Sequence, residues 1–318
     1  MTTKLFIDGE AGTTGLQIRT RLEARDDIKL LRLPENLRKD AEARAQMLNE
    51  ADIAILCLPD AAAIEAVSLI ESKDTRVIDA STAHRTAEGW TYGFAELAPD
   101  QRDKIAASKR VANPGCYPQG YIAIMRPLVD AGIIPATFPA TLNAVSGYSG
   151  GGKGMIADYE RQEDPVTVPY WPYGLTLAHK HVPEMTFHAG LDHPPVFQPA
   201  VGLYAQGMID AVPLNLWALD TKVKLADLHA CLERRYRDEV FVRVAPLESA
   251  GRLEAITPER LNGTNSLHLH IHGNDATGQA VLLAVYDNLG KGASGAAIQN
   301  MNIMMGIDET TGLTIADL

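Results

Sequence analysis

Cysteine is scarce in this chain: three in 318 residues, and no two of them form a CxxC pair. That excludes a disulfide framework and a cysteine-built zinc site, and points to a reducing compartment. Basic charge is also short, with 29 Lys and Arg against 40 Asp and Glu and a formal net charge of −11. A nucleic-acid partner would want a basic face to neutralise phosphate, so none is expected. No apolar run approaches the roughly 20 residues that a membrane-spanning helix needs. The chain passes from Met1-Thr2-Thr3 straight into a strand pattern, which leaves no room for a signal peptide. A cytoplasmic protein acting on a small molecule is expected.

With 46% hydrophobic and 22% charged residues, the chain can bury two moderate cores. Two of its cysteines read as packing residues. Cys57 lies in the continuous apolar run 53–58, a strand buried on both faces, and Cys231 lies in a helical pattern over residues 225–236. Cys116 differs. It stands in Asn113-Pro114-Gly115-Cys116-Tyr117-Pro118, where Asn-Pro-Gly is turn chemistry, Pro118 suits the first helical position, and apolar residues recur at helical spacing from Tyr121 to Val129. The helix N-terminus and its open amides favour a thiolate, the form that attacks an acyl carbon.

The amino-terminal pattern is a strand over residues 4–8, the loop Gly9-Glu10-Ala11-Gly12-Thr13-Thr14-Gly15, and a helix marked by Leu16, Arg19 and Leu22. Glycines admit a pyrophosphate close to the backbone, and the helix N-terminus meets its charge. The spacing is GxxGxxG rather than GxGxxG, a weak signal alone. Strand runs at 28–33, 53–58 and 77–79 alternate with helical patterns at 38–49 and 61–72, which predicts a doubly wound parallel sheet. Gly9, Gly12, Thr13, Thr14 and Gly15 are the expected nucleotide cradle. After the second strand the chain has Arg32, with Arg38 and Lys39 beyond, where NAD binding would want a carboxylate; this favours the 2′-phosphate of NADP, although Glu35 is nearby.

His268, His270 and His272 alternate with Leu267, Leu269 and Ile271 on one face of a strand. Residues two apart are about 6.6 Å from each other, so the outer pair cannot share an ion, and a polar sheet face or subunit contact is expected rather than a metal site.

Six ordered motifs resemble the N-acetyl-gamma-glutamyl-phosphate reductases, in their shorter type. They are the glycine loop, Asp79-Ala80-Ser81-Thr82-Ala83-His84-Arg85, the Cys116 turn, Ser146-Gly147-Tyr148-Ser149-Gly150-Gly151-Gly152-Lys153, His179-Lys180-His181-Val182-Pro183-Glu184, and Asp287-Asn288-Leu289-Gly290-Lys291-Gly292-Ala293-Ser294-Gly295. The longer type carries Asp-Phe-Arg where this chain has Ala83-His84-Arg85, and His-Leu where it has Ala200-Val201.

The resemblance implies NADPH-dependent reduction of an acyl phosphate through a Cys116 thioester, in arginine biosynthesis. His181 is the preferred proton-transfer group; His179 should point to the opposite face if the stretch is extended. Ser81, Asn288, Lys291 and Gly292 are implied at the cofactor, and Arg85, Ser146, Tyr148 and Lys153 at the substrate, with the division of phosphate and carboxylate between Arg85 and Lys153 left open. The implied architecture is α/β. A Rossmann-type NADP domain over residues 1–115, completed by 288–318, joins a mixed α/β catalytic and oligomerisation domain with one large sheet over 116–287, and the whole forms a homo-oligomer, dimer or tetramer. The alternatives are an aspartate-semialdehyde dehydrogenase and a catalytically silent nucleotide sensor.

Overall fold

A computed structural model describes residues 2–219, 222–247 and 256–318. The chain divides into two compact units, residues 1–115 with 293–313, and 116–292 with 314–318.

The first unit alternates strand and helix: β1 (Thr3–Asp8), α1 (Thr13–Leu22), β2 (Ile28–Leu31), α2 (Ala41–Glu50), β3 (Ile53–Leu56), α3 (Asp60–Ser68), β4 (Arg76–Asp79), β5 (Thr91–Tyr92), α4 (Gln101–Ala107) and β6 (Arg110–Ala112). The strands form one parallel sheet in the order β2-β1-β3-β4-β6-β5. Neighbouring residues of β1 serve opposite cores, as a strand's period of two requires. Leu5 and Ile7 pack with Ile18 and Leu22 of α1 and with Ile105 of α4, whereas Phe6 packs with Leu48 of α2 and Ala63 of α3. Both faces are therefore covered, which is why these strands read as continuous apolar runs.

The second unit holds α5 (Cys116–Asp130), β7 (Thr141–Gly147), α6 (Gly152–Glu160), β8 (Tyr170–Pro172), α7 (Val182–Ala189), β9 (Val196–Gly202), β10 (Met208–Asn215), α8 (Leu225–Tyr236), β11 (Val242–Val244), β12 (Leu267–Asn274) and β13 (Gln279–Tyr286). Its strands make one mixed sheet, β11-β12-β13-β10-β7-β9-β8. Register sorts the faces: Leu267 pairs with Tyr286 and Leu269 with Ala284, while His268 pairs with Val285 and His270 with Leu283. The histidines thus lie on the face opposite to that of Tyr286. Burial pushes His268 and His270 down to about 4, so both are neutral at pH 7.

Several elements differ from the sequence reading. The carboxyl-terminal return to the first unit is narrower than 288–318. It comprises α9 (Gly295–Met305) and its flanks, whereas Thr314 accepts from Asn265 N–H at 2.8 Å in the second unit. The glycine-rich stretch 146–153 is divided among three elements: Ser146 and Gly147 end β7, a 3₁₀ turn covers Tyr148–Gly151, and Lys153 lies in the first turn of α6.

Candidate active site

At the nucleotide end, β1 stops at a glycine for a steric reason. Gly9 has φ of +89°, and a Cβ on it would lie 2.3 Å from the Cys57 carbonyl oxygen. A Cβ on Gly15, in the first turn of α1, would lie 2.6 Å from the Gly9 carbonyl. Between them, Gly12 caps α1 in extended conformation with no side-chain acceptor for the amides of the first turn. Thr13 Oγ1 is buried without a hydrogen-bond partner. A cavity of about 450 Å³ adjoins the loop, apolar at Ile7, Leu31 and Leu58 and basic at Arg32, Arg38 and Lys39. Arg32 pairs with Glu23 at 2.8 Å and Arg38 with Glu10 at 2.9 Å. The loop, the apolar wall and this basic rim fit a dinucleotide with a phosphorylated ribose.

The Asp79 to Arg85 motif folds as a clasp. Asp79, fully buried, accepts from Ser81 N–H at 2.9 Å and Ser81 Oγ at 2.6 Å, and its Oδ2 lies 2.6 Å from His84 Nδ1. His84 stacks on Trp90 with ring centroids 4.0 Å apart. Arg85 is buried; it donates to Asn113 O at 3.0 Å and Ala80 O at 2.9 Å. Asn113 is further fixed by its N–H to Asp79 O at 2.7 Å and by side-chain bonds with Ala293 O and Asn300, each 3.1 Å. The turn that delivers Cys116 is therefore held from several sides. The guanidinium of Arg85 secures that turn rather than projecting from the surface.

Cys116 is the first residue of α5, and Pro118 comes third rather than first, still within the turn that needs no intrahelical donor. Gln119 ties the helix to the Lys291 carbonyl, and a Cβ on Gly292 would sit 3.2 Å from Cys116 Cβ. Asn288, Lys291 and Gly292 all belong to the second unit. Asn288 accepts from Gly207 N–H at 2.7 Å and donates to Ser149 Oγ at 3.0 Å, and Lys291 is buried with Nζ 5.4 Å above the Phe241 ring.

Tyr117, next to the cysteine, links it to the histidines. Its ring centroid is 6.3 Å from that of His179, 6.1 Å from that of His181 and 5.1 Å from that of Phe197, and its hydroxyl faces Tyr173 at 3.4 Å. Burial, with the charge of Cys116 as a lesser cause, pushes the Tyr173 phenol up to about 12. His179 and His181 do not point to opposite faces. Their rings are 4.7 Å apart, because the chain turns, Val182 N–H bonding His179 O at 2.9 Å, instead of running extended. His181 is buried at the N-cap of α7, and its N–H donates to His179 Nδ1 at 3.1 Å. That bond leaves the proton of a neutral His179 on Nε2, and burial lowers His179 to about 4. His179 stays neutral at pH 7 and orients its neighbour.

Of the expected substrate residues, Ser146 is buried, with Oγ donating to Gly147 O at 3.2 Å, Tyr148 bonds Glu160 at 3.1 Å and stacks on Tyr159, and Lys153 is exposed. Sequence reasoning missed Asp210 and Tyr286, which meet beneath Cys116. The signal was present: Asp210 occupies a core position in the alternation Met208, Asp210, Val212, Leu214.

A doubly wound parallel-sheet unit, and a mixed-sheet unit whose first helix opens on a cysteine, are the two parts of an oxidoreductase of the semialdehyde dehydrogenase class. Two family models of that class match, the semialdehyde dehydrogenase NAD binding domain over residues 13–105 and the semialdehyde dehydrogenase dimerisation domain over residues 116–288. Solved structures share the fold: aspartate semialdehyde dehydrogenase II of Vibrio cholerae (TM-score 0.69, 16% identity, 96% of this chain and 99% of that one) and the Candida albicans enzyme with NADP (TM-score 0.64, 14% identity, 96% and 99%). Within the class, the chain belongs to the N-acetyl-gamma-glutamyl-phosphate reductase family. It is 57% identical over 307 residues to the protein so named from Chelativorans sp. strain BNC1, covering 96% of this chain and 99% of that one. The relative from Mesorhizobium japonicum is 56% identical over 309 residues, covering 96% and 100%.

Proposed function

We propose that this protein reduces N-acetyl-gamma-glutamyl phosphate to N-acetyl-glutamate semialdehyde with NADPH, in arginine biosynthesis, through a thioester on Cys116. The observation that carries the chemistry is Cys116 at the first position of α5, delivered by a turn that Arg85 and Asn113 hold in place. The thiolate attacks the acyl carbon; a carbon–sulfur bond forms, the carbon–oxygen bond to phosphate breaks, and inorganic phosphate leaves with the bonding pair. Gly9, Gly12, Gly15, Thr13 and Thr14 would hold the pyrophosphate and Arg32 the 2′-phosphate. Bound NADPH supplies the hydride that converts the thioester to a thiohemiacetal. His181 lends a proton to the oxygen of that intermediate and takes it back as the carbonyl re-forms and the thiolate departs, so no net proton is consumed at this step.

In this reading the first unit binds NADP and the second carries catalysis and self-association. The face bearing His268, His270 and Leu283 is the contact of a homo-oligomer, dimer or tetramer, working in the cytoplasm. The test runs the reaction backwards: phosphate-dependent NADP reduction with N-acetylglutamate semialdehyde, beside aspartate semialdehyde. Activity with the first, at least about tenfold above the second, and lost in Cys116→Ser by at least about 10³-fold with NADPH binding retained, is the expected result. Preference for aspartate semialdehyde would move the chain to the alternative substrate, and an active Cys116→Ser protein would remove the thioester.

A further inference from the structure

The helix that carries Cys116 lies over β10 and β13, and each of those strands sends one polar side chain into its first turn. Tyr286 Oη is 2.6 Å from Cys116 O, 2.7 Å from Asp210 Oδ2, and accepts from Gly120 N–H at 3.2 Å; Tyr117 O is farther, at 3.5 Å. Cys116 O and Gly120 N–H are the groups that regular helical pairing would join, so the hydroxyl bridges the opening turn of α5. The fit leaves no space for a side chain on Gly120, where a Cβ would lie 2.4 Å from Asp210 Oδ2 and 2.9 Å from Tyr286 Oη.

Counting hydrogens at this hydroxyl settles the charge of its neighbour. A phenol has one hydrogen to give and lone pairs to receive with. Cys116 O can only accept, so the Tyr286 hydrogen belongs to it; Gly120 N–H fills one acceptor direction. The remaining contact, to Asp210 Oδ2, then needs a hydrogen that only Asp210 can bring. Were Asp210 ionised, one of two buried oxygen–oxygen contacts, at 2.6 or 2.7 Å, would have no hydrogen between its atoms. Asp210 Oδ1 is buried with no partner in hydrogen-bond geometry, which a neutral acid tolerates far better than a carboxylate; the Tyr286 hydroxyl and the Tyr121 backbone N–H favour the charged form, but less than burial opposes it.

We propose that Asp210 is a carboxylic acid at neutral pH, and that through Tyr286 it positions the first turn of α5 without placing a negative charge beside Cys116. Burial, the largest influence on this carboxyl, raises it well above the ordinary carboxylate range, in the same direction as the hydrogen count. The titratable groups that bear on the pair are the Tyr117 phenol, raised by burial and neutral, and the Cys116 thiol itself. Elements packed farther along α5 meet it elsewhere, α8 through Cys231 against Pro127 O and Tyr236 against Ala123 O, and α7 through His188 O against Arg126. A carboxylate here would oppose the thiolate that the helix end favours; the neutral acid keeps the same geometry and leaves that end to the sulfur.

The consequence for reactivity rests on Cys116 being the nucleophile, which Cys116→Ser tests separately; the protonation of Asp210 is read without turnover. In infrared spectra at pH 7, wild-type protein should show the C=O stretch of a protonated carboxylic acid above the amide I band. Asp210→Asn should abolish it, and Tyr286→Phe should keep it but shift it to higher frequency, since the acid loses its acceptor. The pH profile of iodoacetamide alkylation, followed on the Cys116 peptide by mass spectrometry, supplies the second readout. Asp210→Asn, an isosteric neutral donor, should move its midpoint by less than about 0.3 unit, whereas removing a true carboxylate would lower it by about one unit or more. Tyr286→Phe, which frees the Cys116 carbonyl, should lower kcat about tenfold with KM little changed. A wild-type spectrum without the acid band, a band unaltered in Tyr286→Phe, or a midpoint that falls in Asp210→Asn would each overturn the proposal.

Discussion

Replacing His181 with Asn keeps a polar side chain at the N-cap of α7 and removes the imidazole. If His181 moves the proton of the thiohemiacetal, kcat should fall by roughly 10² to 10⁴ and its pH profile should flatten near neutrality. His179→Asn should cost much less, because burial holds that ring neutral down to about 4 and its Nδ1 is occupied by the His181 N–H; equal losses in both would contradict this division of labour. At the cofactor, Arg32→Asp should weaken NADPH binding at least about tenfold more than NADH binding, as a contact to the 2′-phosphate becomes repulsion. Titration by fluorescence checks it, and equal losses would place Arg32 outside the ribose site. The place of Cys116 at a helix start was legible from its turn-forming neighbours, and so was the glycine turn after β1. The support beneath it was not, since Asp210 and Tyr286 are 76 residues apart and come together only when β10 pairs with β13.

At the scale of elements, β12 carries a pH-dependent term. Burial lowers His268 and His270 to about 4, whereas in the unfolded chain they titrate near about 6.5. The unfolded state therefore binds more protons between those values, so the stability contributed by the neutral rings is complete above about pH 6.5 and is lost as the pH falls toward 4. The thermal midpoint should drop across that window, and His268→Gln with His270→Gln should flatten the drop; a wild-type midpoint constant from pH 6.5 to 4.5 would contradict it. Elements were legible where one physical cause ruled, as in the apolar strands buried between two helical layers. Elsewhere causes competed. β13 was passed over although it lies between β12 and β10 in the sheet.

For the whole molecule, the sequence carried the alternation that builds the first unit and the ordered motifs that mark the family. It did not reveal where the chain returns: Ala293–Leu313 joins the first unit, where Ile298 and Met301 enter the core, and Thr314–Leu318 the second, held by Asn265 and Ser266. The proposed reaction depends on one covalent event, acyl transfer to Cys116. The direct measurement is to mix the protein with N-acetyl-gamma-glutamyl phosphate in the absence of NADPH, quench in acid, and map the peptides by mass spectrometry. One N-acetylglutamyl group per chain on Cys116, with phosphate released in equal amount, and loss of that acyl group as the semialdehyde on addition of NADPH, is the predicted result. An unmodified Cys116, or the acyl group on any other residue, would contradict it.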